Sequence, residues 1–70
     1  MARSHEREKE ILARLDLVYA WRDDVHIFLV LSEVAFVRIR GYGNGDLFPL
    51  EISEAFTMLE FASAVVKAAP

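Results

Sequence analysis

The sequence contains no cysteine and only two histidines, His5 and His26. Disulfide bonds, cysteine-ligated zinc and iron–sulfur clusters are therefore excluded, and two histidines leave little for another metal site. We accordingly expect no cofactor. Small domains are usually reinforced by disulfides, a metal or a partner subunit, so association is the reinforcement that remains open.

Long apolar runs are also missing, although 54% of the residues are hydrophobic. No unbroken run exceeds five residues, as in residues 27–31, whereas a membrane-spanning helix needs about 20. Residues 1–10 are dense with charge and lack the apolar region of a signal peptide. The sequence therefore predicts a cytoplasmic protein without membrane contact, made of a single domain over residues 1–70.

An excess of positive charge is lacking as well. Eight basic and eleven acidic residues give a net charge of −3. A dedicated nucleic-acid binder normally carries a strong positive excess, so the composition argues against that class.

The N-terminal third of the chain has the spacing of an amphipathic helix, which we predict over residues 4–21. Ser4 is a candidate N-cap, and Asp23-Asp24 would end the helix. Apolar residues recur at helical intervals at Ile11, Leu12, Leu15, Val18 and Tyr19.

Residues 25–40 are rich in β-branched and aromatic side chains and favour strands. One strand of sixteen residues would be about 50 Å long, so we place a break at Ser32-Glu33 and predict strands over 25–31 and 34–40. A single bent strand or a buried helix remains an alternative. The glycine-rich segment 41–46 predicts a turn, and residues 47–52 a third strand, at a sheet edge because Pro49 has no amide donor.

Residues 54–68 predict a last helix with Ser53 as its N-cap. The predicted fold class is thus α+β, a helix followed by a three-stranded antiparallel sheet and a second helix, with both helices on one sheet face. Side chains on the other face would then be exposed. That face would present an apolar interface formed by Phe28, Val30, Val34 and Phe36.

This exposed face predicts a small accessory or regulatory protein that works through association, as a homodimer or as a subunit of a complex. The alternative is that the wide apolar surface of the last helix covers the second face within one chain. Tyr19 and Trp21 are interpreted as core residues, with an interface role as the alternative.

A second hypothesis is a nucleic-acid-binding module. Arg38, Arg40 and Tyr42 alternate onto one face of the second strand, and guanidinium groups beside an aromatic ring suit phosphate contact and base stacking. A solvated strand end is the simpler interpretation of the same residues.

Catalytic patterns are missing from the sequence. It has no Gly-x-Ser-x-Gly elbow and no serine paired with a histidine in a recognisable spacing, so we predict a protein that is not an enzyme. Asp23, Asp24 and His26 offer metal-ligand atoms, but a helix-ending turn explains the aspartates and an ordinary sheet position explains His26, so we predict no metal site. An oligomeric small-ligand carrier or enzyme is the third hypothesis.

Overall fold

A four-stranded antiparallel sheet forms the centre of the computed structural model, which describes the backbone of residues 2–68 and the side chains of residues 5–63. Its strands run in sequence order across the sheet, β1-β2-β3-β4. A helix precedes the sheet and another follows it. The α+β class is therefore confirmed, with one strand more than predicted. The elements are α1 (Ala2–Leu12), β1 (Leu17–Arg22), β2 (His26–Leu31), β3 (Ala35–Ile39), β4 (Phe48–Leu50) and α2 (Ile52–Ala68).

The predicted helix over residues 4–21 is wrong in its second half, where the chain forms β1. Helix α1 ends at Leu12, and the Arg14 side chain then holds Asp16 in a two-bond contact of 2.9 and 2.8 Å within the connection. The following residues, Leu17–Arg22, are rich in β-branched and aromatic types and pair antiparallel with β2. Pairing with a distant strand therefore overrides the helical spacing.

The two helices lie on opposite faces of the sheet, which corrects the prediction that they share one face. Alternate residues of β2 divide between two apolar clusters, because strand side chains alternate. Phe28 and Val30 pack with Ala55, Leu59 and Ala62 of α2. On the other side, residues 27, 29 and 31 pack with Ile11 of α1 and with Leu47. Residues 27–31 of β2 are all apolar and need cover on both faces, and each helix covers one face.

The break at Ser32-Glu33 is confirmed, since β2 and β3 form a hairpin there. The Leu31 amide donates to the carbonyl of Val34 at 2.8 Å and closes the turn. The register then runs from Val30 opposite Ala35 to His26 opposite Ile39.

The glycine-rich turn and the edge position of the last strand are also confirmed. Three glycines and Asn44 have positive φ in residues 41–46. Gly43 is needed for a second reason, because a Cβ atom there would overlap the ring of Phe48. The turn leads into β4, which lies at one sheet edge and contains Pro49.

Helix α2 begins at Ile52, so Ser53 lies in its first turn and is not its N-cap. The Ala55 amide already donates to the carbonyl of Glu51 at 3.0 Å. Ser4 lies within α1, and its side chain is outside the described residues. Neither helix, over the part of the chain that the structure describes, is long and apolar enough to cross a membrane.

Candidate functional site

The four residues predicted to form one exposed patch are divided between the two sheet faces. Phe28 and Val30 are buried beneath α2, with 0% and 1% of their surface exposed. Val34 and Phe36 pack on the α1 side. The prediction placed all four on one face because it did not fix the hairpin register, which sets Phe28 opposite Val37 rather than opposite Phe36. The predicted patch is therefore wrong as a surface of the single chain.

Within the part of the chain that the structure describes, β1 forms an open edge of the sheet and pairs only with β2. The Asp23 amide donates to the carbonyl of His26 at 3.0 Å, so this pair is a hydrogen-bonded one. Hydrogen-bonded and non-bonded pairs alternate along an antiparallel ladder. The backbone N–H and C=O groups of Tyr19 and Trp21 therefore bond to β2. The corresponding groups of Ala20 and Arg22 point away from β2. These outward groups are available to another strand.

An aromatic groove lies beside this edge, on the α2 side of the sheet. Helix α2 packs over β2 and β3, which leaves the α2-facing side chains of β1 only partly covered. Tyr19 and Phe56 are 43% and 42% exposed on opposite walls of the groove. Its volume is about 180 Å³. The groove is lined by Tyr19, Trp21, Phe56, Leu59, Glu60 and Ser63.

The groove is open to solvent, and its volume is comparable with that of a cavity that holds an aromatic ring. A cavity of roughly 150 Å³ lined by apolar side chains accommodates benzene. Glu60 and Ser63 place polar groups along one wall, and the Ser63 hydroxyl donates to the carbonyl of Glu60 at 3.3 Å. The combination of an open strand edge and an adjoining side-chain pocket is the arrangement used to bind extended peptides.

The hairpin turn after β1 fixes the position of Trp21. The Asp23 carboxylate accepts from the amides of Val25 and His26 at 2.7 and 2.6 Å, and from the Trp21 indole at 3.2 Å. Burial raises the pKa of Asp23, but the His26 and Val25 amides and the Trp21 and His26 side chains lower it to about 2. Asp23 therefore holds the indole at the groove as a carboxylate.

Metal binding at this turn has no support in the geometry. Both oxygens of Asp23 are engaged in the turn, the second one with the Trp21 indole and, at 3.3 Å, with the His26 ring. Among the described residues, no group of three or more histidine, cysteine, aspartate or glutamate side chains could hold a metal ion.

The opposite face of the sheet carries an ionic contact that anchors α1. Arg22 and Arg38 stand on either side of Ile27 in one row across three strands. Glu8 lies over this row, 2.6 Å from an Arg22 nitrogen and 2.7 Å from an Arg38 nitrogen. Burial raises the pKa of Glu8, but its hydrogen bonds and charge interactions with Arg38 and Arg22 lower it below the usual value.

The residues of the nucleic-acid hypothesis do not form one surface. The Arg38 side chain is only 13% exposed, and it bonds to Glu8 and, at 2.9 Å, to the Gly45 carbonyl. Arg40 is exposed beyond the end of β3, and Tyr42 is exposed beside Phe48. Arg38 is thus committed to the fold, which corrects its assignment to a nucleic-acid contact. The hypothesis remains a prediction that depends on Arg40 and Tyr42.

Sequence reasoning missed the groove because it placed Tyr19 and Trp21 on a helix. The available signal was the run of residues 17–21, Leu-Val-Tyr-Ala-Trp, whose composition is typical of a strand. Further exposed apolar side chains lie immediately before and within β1, namely Leu12, Leu15 and Val18.

Comparison with known proteins yields no relative. No protein-family model matches the sequence, and no curated protein or solved structure matches the chain.

Proposed function

We propose that this chain is a small accessory or regulatory protein that has no catalytic activity of its own and works by binding a strand of another protein chain along β1. The observation that carries the proposal is the position of the aromatic groove directly beside the open sheet edge. Backbone hydrogen bonds to Ala20 and Arg22 would supply affinity, and the groove would select a side chain.

The chemistry of the bound strand follows from the lining of the groove. Side chains of an added strand alternate between the two sheet faces, so every second one would point to the α2 side. An aromatic side chain there would contact Tyr19, Trp21 and Phe56. Glu60 at the wall favours a donor group, such as a phenol or an indole, over a carboxylate.

Titration with a short extended peptide tests the proposal. The probe is a synthetic peptide with the β1 sequence, Leu-Val-Tyr-Ala-Trp-Arg, flanked by lysines for solubility. We expect the amide resonances of Ala20 and Arg22 and the indole resonance of Trp21 to shift on binding. Unchanged resonances at all three positions in a monomeric protein would contradict the proposal.

Two phenylalanines of α2 provide a matched pair of variants for this titration. Phe56 and Phe61 are five residues apart, about 140° around the helix, so Phe61 lies on another flank although it is also exposed. Phe56→Glu should weaken peptide binding at least about tenfold, because it places a charge in an apolar contact. Phe61→Glu should leave the affinity within about twofold.

A further inference from the structure

We infer that the strand received at β1 is the β1 strand of a second copy of this chain, and that the two strands pair antiparallel about a two-fold axis through Ala20. This inference rests on the proposed function and names its partner. The two sheet edges, the outward backbone groups of β1 and the side chains that face each other across the axis support it.

The first step is that the sheet offers one receptive edge. The edge at β4 is three residues long and contains Pro49, which has no N–H to donate. The edge at β1 is six residues long, with its irregularity confined to the step between Leu17 and Tyr19. Two copies that pair through β1 would leave only β4 edges outside, so assembly would stop at a closed dimer.

The second step is the register. In a symmetric antiparallel pair, residues whose N–H and C=O groups point outward must face each other. Ala20 and Arg22 are the outward residues of the regular part of β1. An axis through Ala20 sets Ala20 against its counterpart and pairs Tyr19 of each strand with Trp21 of the other, within the regular part of β1. The small side chain of Ala20 allows close approach at the axis.

The third step concerns the side chains on the α2 face. In this register Tyr19 of each copy lies opposite Trp21 of the other copy, so the dimer contains two such pairs. Non-hydrogen-bonded pairs bring facing side chains closest, and aromatic pairs are favourable there. Each copy would therefore supply the aromatic side chain that the other copy's groove accommodates. The surface is self-complementary, as an interface about a two-fold axis requires.

A cysteine substitution tests both the partner and the register, since the natural chain has no cysteine. In this register the two Ala20 Cα atoms are about 5.5 Å apart, within the range of about 4.4–6.8 Å that a disulfide spans. Val25→Cys, at an exposed position within the hairpin turn, is the matched control. Circular dichroism of the reduced variants checks that both fold.

We expect Ala20→Cys to oxidise to a covalent dimer at least about tenfold faster than Val25→Cys, and the unmodified chain to double its mass in light scattering below about 1 mM. A monomeric mass, or equal oxidation rates in a dimeric protein, would overturn the inference. If the β1 peptide nevertheless shifts Ala20 and Arg22, the proposed function stands with a foreign partner; if it does not, both fail.

Discussion

Glu8 and Arg38 form an ion pair with 2.7 Å between the Glu8 Oε1 and Arg38 Nη1 atoms, and only 11% and 13% of their side chains are exposed. Among the described side chains of helix α1, Ile11 belongs to the apolar core. The charge pair therefore holds α1 on the sheet together with the packing of Ile11. Arg7 adds a cation–π contact, 5.7 Å above the ring of Phe36.

Replacing Glu8 should destabilise the protein. Glu8→Gln would leave Arg38 buried without its counter-charge, and loss of one partner of a buried pair costs about 1–3 kcal/mol when some hydrogen bonding survives. Urea unfolding followed by circular dichroism measures the change. Glu10→Gln, at an exposed position of the same helix, should change the unfolding free energy by less than about 0.5 kcal/mol. Equal effects of the two substitutions would show that the ion pair does not stabilise the fold.

Acid should destabilise the protein through Asp23 and Glu8. The folded-state pKa of Asp23 is lowered from 3.8 to about 2, and that of Glu8 is lowered as well. A depressed pKa stabilises the folded state above the unfolded pKa, and this stabilisation is lost as the pH falls towards the folded pKa. Unfolding free energies measured between about pH 6 and pH 2.5 should therefore fall below about pH 5.

A pair of variants measures how much of this acid destabilisation comes from the Asp23 carboxylate. Asp23→Asn should reduce the loss between about pH 5 and pH 2.5 by an amount on the order of 1 kcal/mol, because the amide does not titrate. Asp24→Asn, at the exposed neighbouring position, should lose as much unfolding free energy on acidification as the unmodified protein. An acid profile that Asp23→Asn leaves unchanged would rule out a stabilising role for its carboxylate.

Two glycines of the turn should differ in their tolerance of alanine. Gly41 and Gly43 both have positive φ, but only Gly43 lies against the Phe48 ring. Gly41→Ala should cost about 1 kcal/mol from backbone strain alone. Gly43→Ala should cost about 1–3 kcal/mol more, because the ring must also move. Thermal unfolding compares the two variants, and equal losses would contradict the contact.

Arg38 and Arg40 should behave differently when replaced by lysine. Arg38 bonds at once to Glu8 and to the Gly45 carbonyl, and a lysine ammonium cannot reproduce that two-sided geometry. Arg38→Lys should lower the unfolding free energy by about 1–2 kcal/mol, and Arg40→Lys should leave it nearly unchanged. Affinity for nucleic acid that falls steeply with salt, and that Arg40→Ala reduces, would instead favour the nucleic-acid hypothesis.

Local chemistry made about half of the fold predictable from the sequence. The break at Ser32-Glu33 followed from the length of the β-rich segment, and the turn before β4 followed from its glycines. Pro49 placed β4 at an edge because proline lacks a donor in any context. Each of these features depends on residues close together in the chain.

The features that sequence reasoning missed depend on pairing between distant residues. Residues 17–19 continue the helical period of residues 11–15 but belong to a run with strand composition, and pairing with β2 makes them a strand. The register of β2 with β3 then places Phe28 and Phe36 on opposite faces of the sheet. The groove could not be foreseen, because it exists only where α2 leaves Tyr19 and Trp21 of the edge strand uncovered.

The sequential strand order has a consequence for folding kinetics. Every strand of the sheet pairs with the strand next to it in the chain, so each ladder closes only a short loop. Such a topology has a low contact order for a β-sheet, and low contact order accompanies fast folding. We expect refolding in milliseconds at room temperature, with one exponential phase in stopped-flow fluorescence of Trp21, the single tryptophan.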